Sequence, residues 1–196
     1  MTEQTWLVVG LGNPGPRYEA TRHNIGAWVV ERLADRLRAR LRKVRFLPLE
    51  VAETSHAGAR VYLARPQTFM NESGPPVASF ARRRGLEPGS IVAIHDEIDL
   101  ALGALKLKRG GSTAGHNGLN SVVNALHSTD FYRVRLGVGR PRGRQDPADY
   151  VLDPFAKSER EEADLLAEEA ADAVLTLVSE GLPVAQDRHN RAAPTA

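Results

Sequence analysis

Five polar segments hold residue types that could do chemistry. Asn13 follows a short apolar run at 5–10. Met70-Asn71 follows another at 61–64, after Pro66, and Asp96 directly follows a third at 91–95. Apolar runs of this length read as buried strands, and in open α/β sheets sites form outside the carboxyl ends of strands. The loop segments Thr21-Arg22-His23-Asn24 and Gly115-His116-Asn117-Gly118 add two His-Asn pairs that can cap the same edge. A histidine oriented by a carboxylate is a general base near neutral pH, and Asn amides donate hydrogen bonds to a carbonyl or a developing oxyanion. With no protein nucleophile evident, water is the expected attacker, and the chemistry is hydrolysis of an activated acyl bond such as an ester. Taken singly, Asn13, Asn71 and Asn117 could be turn residues or helix caps. His23 and Asp96 could be exposed loop residues. Their coincidence at one edge is what favours a site.

Other chemistries find less support. The 196 residues contain no cysteine, which excludes disulfides, thiolate metal sites, iron–sulfur clusters and cysteine nucleophiles. Gly10-Leu11-Gly12-Asn13-Pro14-Gly15 fits G-x-G-x-x-G after a strand, the fingerprint of a dinucleotide-dependent oxidoreductase. That fingerprint must open a helix whose amides meet a pyrophosphate. Here Pro14 and Pro16 lack those amides, and the next good helix begins near Asn24. Gly110-Gly111-Ser112-Thr113-Ala114 is not a nucleophile elbow, and His95-Asp96-Glu97-Ile98-Asp99 is not a zinc motif. No metal and no cofactor are expected.

The elements that must position these residues follow from periodicity. Strands are expected at 5–10, 46–53, 61–64, 91–95, 104–108 and 133–139, and helices at 25–41, 76–84, 117–126 and 159–179. Alternation of the two argues an α/β fold: a single three-layer domain over 1–185, with a mixed, mostly parallel twisted sheet flanked by helices. The closeness of 91–95 and 104–108 suggests an antiparallel pair. Residues 186–196 are polar and read as a flexible tail. Lys and Arg number 26 against 24 Asp and Glu. The signs are segregated, with cations crowding 36–45, 82–84, 106–109 and 133–144 and acids crowding 159–172. A basic face suits a polyanion. No secretory signal and no apolar run of about eighteen residues is visible, which points to the cytoplasm and away from a membrane.

WLVVGLGNPGPRYEATRHNIG, RPQTFMNESG, IVAIHDEIDLALG, LKLKRGGSTAGHNGLNSVV and FYRVRLGVGRP, in that order, closely resemble bacterial peptidyl-tRNA hydrolase over about four-fifths of the chain. The resemblance implies a monomeric, metal-independent enzyme without cofactor. Its substrate is peptidyl-tRNA, cleaved at the ester between the peptide and the 3′-terminal ribose. It implies His23 as catalytic base and Asp96 as the carboxylate orienting it. Asn13, Asn71 and Asn117 would position substrate and water, and Tyr18, Met70 and His116 would line the cleft. Lys108 and Arg135 would clamp the tRNA 5′-phosphate. Each lies on the polar side of an alternating strand, Arg135 on the same side as Arg133. A non-catalytic RNA-binding protein on the same fold is the alternative, and the intact His23, Asp96, Asn13 and Asn71 set argues against it.

Overall fold

A computed structural model describes residues 4–192. Seven strands form one sheet: β1 (Thr5–Gly10), β2 (Arg42–Lys43), β3 (Leu49–His56), β4 (Ala59–Pro66), β5 (Ile91–Glu97), β6 (Leu105–Arg109) and β7 (Tyr132–Gly137), in the spatial order β2-β3-β4-β1-β5-β7-β6. The central strands β4, β1, β5 and β7 run parallel. Antiparallel neighbours close both edges, with β2 and β3 on one side and β6 on the other. This is the mixed sheet expected from the alternation of elements. The antiparallel pair does not join 91–95 to 104–108, however, because β7 inserts between β5 and β6.

Helices cover both faces, as the three layers require. α1 (Ile25–Arg36), α5 (Arg160–Glu180) and α6 (Leu182–His189) bury Trp28, Leu33, Leu166 and Leu177 against one face. α2 (Gly74–Arg84) and α3 (Asn117–Leu126) bury Val77, Phe80, Leu119 and Val122 against the other. The short α4 (Pro147–Val151) lies in the long connection to α5. α1 stops at Arg36 instead of running to 41, because Arg38 takes a left-handed φ of 51° and turns the chain into β2. The strand expected from 46 begins at Leu49, since Phe46 sits in a turn. The Arg-rich face of α1 is not a free basic surface: Arg32 and Arg36 pair with Asp164, Glu168 and Asp172 of the acidic helix α5.

The proposed flexible tail overlaps residues that are ordered here. Residues 186–189 belong to α6. Gln186 donates to the Leu107 carbonyl at 2.9 Å, Asn190 accepts from the Leu107 amide at 2.8 Å, and Arg191 bridges Leu105. Polar composition misleads because these groups satisfy the open edge of β6. Residues 193–196 lie outside the described residues.

β1 is followed on one side by β4 and on the other by β5, so the strand order reverses there and leaves a crevice at the carboxyl ends. Two glycines let α1 settle onto that crevice. A Cβ on Gly10 would lie 2.3 Å from the Gly26 carbonyl oxygen, and one on Gly26 would lie 2.2 Å from that of Ile94. Gly26→Ala is therefore expected to cost ~1–3 kcal/mol as an overpacked site. Urea denaturation should show a lower midpoint at unchanged slope; an unshifted midpoint would mean that the helix yields freely.

Candidate active site

The end of β5 carries Asp96 into the crevice, 2% exposed and hydrogen-bonded by two imidazoles. His23 comes from the single turn Arg22–Asn24 that leads into α1, and its Nδ1 lies 2.9 Å from each carboxylate oxygen of Asp96. The Nε2 of His116 reaches Oδ1 at 2.8 Å. Because the Nδ1 of His116 accepts the Gly118 and Leu119 amides as the N-cap of α3, the proton of that ring sits on Nε2. His23 likewise donates from Nδ1 to the ionised Asp96, which leaves the lone pair of its Nε2 as the acceptor. The buried His95 ring rests edge-on against His116, with its Nδ1 2.7 Å from the Asp96 backbone carbonyl.

Burial alone would push the Asp96 carboxyl upward, but the neighbouring His23 and His116 hold it well below the usual carboxylate range. For His23, burial opposes the charged form, yet the charge and hydrogen bond of Asp96 outweigh it and raise the pKa above 6.5. Burial, reinforced by the nearby His116, keeps His95 well below 6.5 and hence neutral.

Carboxamides line the same cleft. The Oδ1 of Asn13 accepts from the Met70 amide at 2.7 Å, which turns its NH2 into a donor for the cleft. Asn24 clamps Asn13 from behind, accepting from its backbone N–H and donating to its carbonyl, both at 2.8 Å. Asn71 is exposed at the cleft wall, and Asn117 opens α3 beside it. Met70 packs beneath, so close to α3 that a Cβ on Gly118 would lie 2.4 Å from its Sδ. Tyr18, edge-on to the exposed Phe69, closes one end. Val151 and Leu152 of the α4 segment form an apolar flank of the cleft, whose volume is about 740 Å³.

Over residues 7–196 the sequence matches the family model described as peptidyl-tRNA hydrolase. A protein of that name from Frankia casuarinae is 52% identical over 185 residues, covering 94% of this chain and 93% of its own. Another from Rhodococcus erythropolis is 49% identical, covering 96% and 99%. The crystal structure of peptidyl-tRNA hydrolase from Acinetobacter baumannii superposes with a TM-score of 0.91 at 35% identity, covering 97% of each chain. The chain belongs to the peptidyl-tRNA hydrolase family. It is thus an enzyme and a hydrolase, and its fold is that of solved peptidyl-tRNA hydrolases.

The structure therefore brings eight of the ten residues singled out for this family, Asn13, Tyr18, His23, Met70, Asn71, Asp96, His116 and Asn117, to one cleft. The other two lie beyond it, on β6 and β7. Arg135 contacts Glu97 at 3.2 Å, and Glu97 lines the cleft. Lys108 stands opposite Arg133 in the ladder, and burial together with the charges of Arg135 and Arg133 lowers its pKa. Arg133, expected to share their solvent face, is instead 1% exposed and holds the carbonyls of Gly111 and Ser112 in the loop before α3. His23, Asp96 and His116 also offer ligand atoms within 4.8 Å of one another. Those atoms already hydrogen-bond among themselves, so an ion there would displace both imidazole–carboxylate contacts.

Sequence reasoning placed Asn24 with His23 at the cap of the edge, without its clamp on Asn13, and assigned no role to Arg22. The buried Arg22 donates to the carbonyls of Tyr150, Asp153 and Pro154, stacks 4.1 Å over the Tyr150 ring and pairs with Glu159 at 2.7 Å. It fastens the His23 turn to the α4 wall. A basic residue beside a candidate base was visible, but its carbonyl partners about 130 positions away were not.

NMR titration should place the His23 midpoint above 6.5. In Asp96→Asn the opposing burial persists while the stabilising charge is gone, so the midpoint should fall below that of the parent protein. An unchanged midpoint would deny the coupling.

Proposed function

We propose that this chain hydrolyses the ester linking a peptide to the 3′-terminal ribose of tRNA, with His23 as general base and Asp96 as its orienting carboxylate. The observation that carries this reading is the His23–Asp96 pair, at 2.9 Å, opening onto a cleft walled by carboxamides. Water bound at Nε2 of His23 loses a proton to it as its oxygen attacks the ester carbonyl carbon. The NH2 group of Asn13 and the amides of Asn71 and Asn117 hold water and carbonyl and take up the oxyanion charge. The intermediate then collapses, and the ribose oxygen leaves with the proton returned by His23. Phe69, Val151 and Leu152 give the peptide an apolar bed. Tyr18, Met70 and His116 shape the rest of the cleft.

Lys108 and Arg135 supply the phosphate clamp in this reading. Two cations on adjacent strands suit a terminal phosphate, and the Glu97 contact orients the Arg135 guanidinium. The enzyme acts as a cytoplasmic monomer on peptidyl-tRNA, without metal or cofactor. Among the described residues no helix is long and apolar enough to cross a membrane.

Release of N-blocked amino acid from tRNA tests the assignment. His23→Ala should lower turnover by about 10²–10⁴, the usual worth of a positioned base; full activity would remove His23 from the mechanism. Only neutral His23 accepts a proton. Since its pKa is raised, activity should fall on the acid side with a midpoint above 6.5, and Asp96→Asn should move that limb to lower pH while reducing the rate. Lys108→Ala should weaken tRNA binding and reduce the slope of log affinity against log salt by about one contact's share. An unchanged slope would take Lys108 out of the clamp.

A further inference from the structure

Several exposed arginines of this protein face a carboxylate: Arg109 pairs with Asp130, Arg140 with Asp99 and Arg188 with Glu180. Other surface cations do not, and six of them gather in one region. Arg42 and Lys43 on the edge strand β2, Arg45 in the turn that follows, and Arg82, Arg83 and Arg84 at the end of α2 are all exposed. Among the described residues none of the six has a carboxylate partner. Glu50, opposite Lys43 in the ladder, is occupied by Arg65. Arg83 donates to the Arg45 carbonyl at 3.3 Å, which joins the helix end and the turn into one surface.

Next to Arg45 in the turn stands Phe46, 81% exposed, held at a φ of 63° with the Arg45 guanidinium 4.6 Å from its ring. A left-handed non-glycine residue is strained, and a large aromatic in water forgoes burial. Like charges without counter-charges also repel. An exposed aromatic ring beside a cluster of cations is what a single-stranded nucleic acid recruits: rings stack on bases while cations track phosphates. Five of the six cations are arginine, whose planar guanidinium both forks onto phosphate and stacks. A membrane fits less well, since one phenylalanine on a turn gives little apolar area to insert and the apolar face of α2 is already buried against the sheet.

We propose that this edge is a second RNA-binding surface, taking an unpaired RNA strand with Phe46 stacked on a base and the arginines on the backbone. It is separate from the Lys108–Arg135 pair: β2 and β7 are five strand intervals apart, roughly 24 Å at ~4.8 Å each. It does not depend on the ester chemistry, and its test contains no ester.

Binding of a fluorescent twelve-residue oligouridylate to the full chain measures it. Phe46→Ala should weaken binding about tenfold, within the range of one base–aromatic stack, and Phe46→Trp should restore it. Arg42→Glu combined with Arg45→Glu should weaken it further and flatten the salt dependence, with thermal melting of all variants near that of the parent. The proposal fails if Phe46→Ala binds as the parent does. It also fails if a twelve-pair RNA duplex binds as tightly as the single strand, or if vesicles of one part phosphatidylserine to two of phosphatidylcholine compete the RNA away through the same residues.

Discussion

The ionised carboxylate of Asp96, sealed at the end of the central strand β5, sets the terms for its surroundings. A buried charge costs several kcal/mol unless its lone pairs are met by good donors. Two imidazole N–H groups meet them here, and each commits its ring. His116 must present Nε2–H, so its Nδ1 is free to accept the first amides of α3. His23 must present Nδ1–H, so its remaining lone pair is directed away from the acid. One charge thereby fixes two tautomers, the start of a helix and the loop ahead of α1. The same arrangement makes the base more proton-hungry than a free imidazole, because the acid that orients it also stabilises its charged form.

Around this centre the walls are loops, and loops hold a shape only when their backbone groups are met. Two buried guanidiniums do much of this. Arg22 gathers three carbonyls of the 150–154 segment, and Arg133 gathers two from the loop ahead of α3. Each has several N–H groups in one plane and so replaces a stretch of sheet or helix pairing. The amide wall is built in the same manner, with Asn24 holding both polar groups of the Asn13 backbone. The site is thus stiffened by side chains that themselves stand back from the reacting centre.

Much of this could be read from residue order, and the exceptions share a cause. Short apolar runs ending in Asn13 and Asp96 announce strands that terminate at one edge, and the reversal of strand order there gathers what they carry. The pattern could not reveal that β7 separates β5 from β6, because pairing partners are chosen by the whole sheet. Nor could it distinguish Arg133 from Arg135: alternation puts both on one face, and only the Gly111–Ser112 loop folding over the first decides which is buried. Arg36 seemed part of a basic face until α5 was laid beside it. The end of the chain misled most, since polar residues at 186–191 look solvated but serve as partners for a strand.

That last feature bears on how the molecule comes into being. β6 exposes its outer backbone groups until Gln186 and Asn190 arrive, and they bond to Leu107 from 79 and 83 positions downstream. Counted from the end of β7 at Gly137, the strand that β6 pairs with, the ribosome needs roughly 2–11 s to supply them at about 5–20 residues per second. Throughout that interval the emerging polypeptide carries a naked strand margin, an invitation to pair with a neighbour on the same polysome. Lysines at 106 and 108, alternating along that margin, are the sort of deterrent such an exposure calls for.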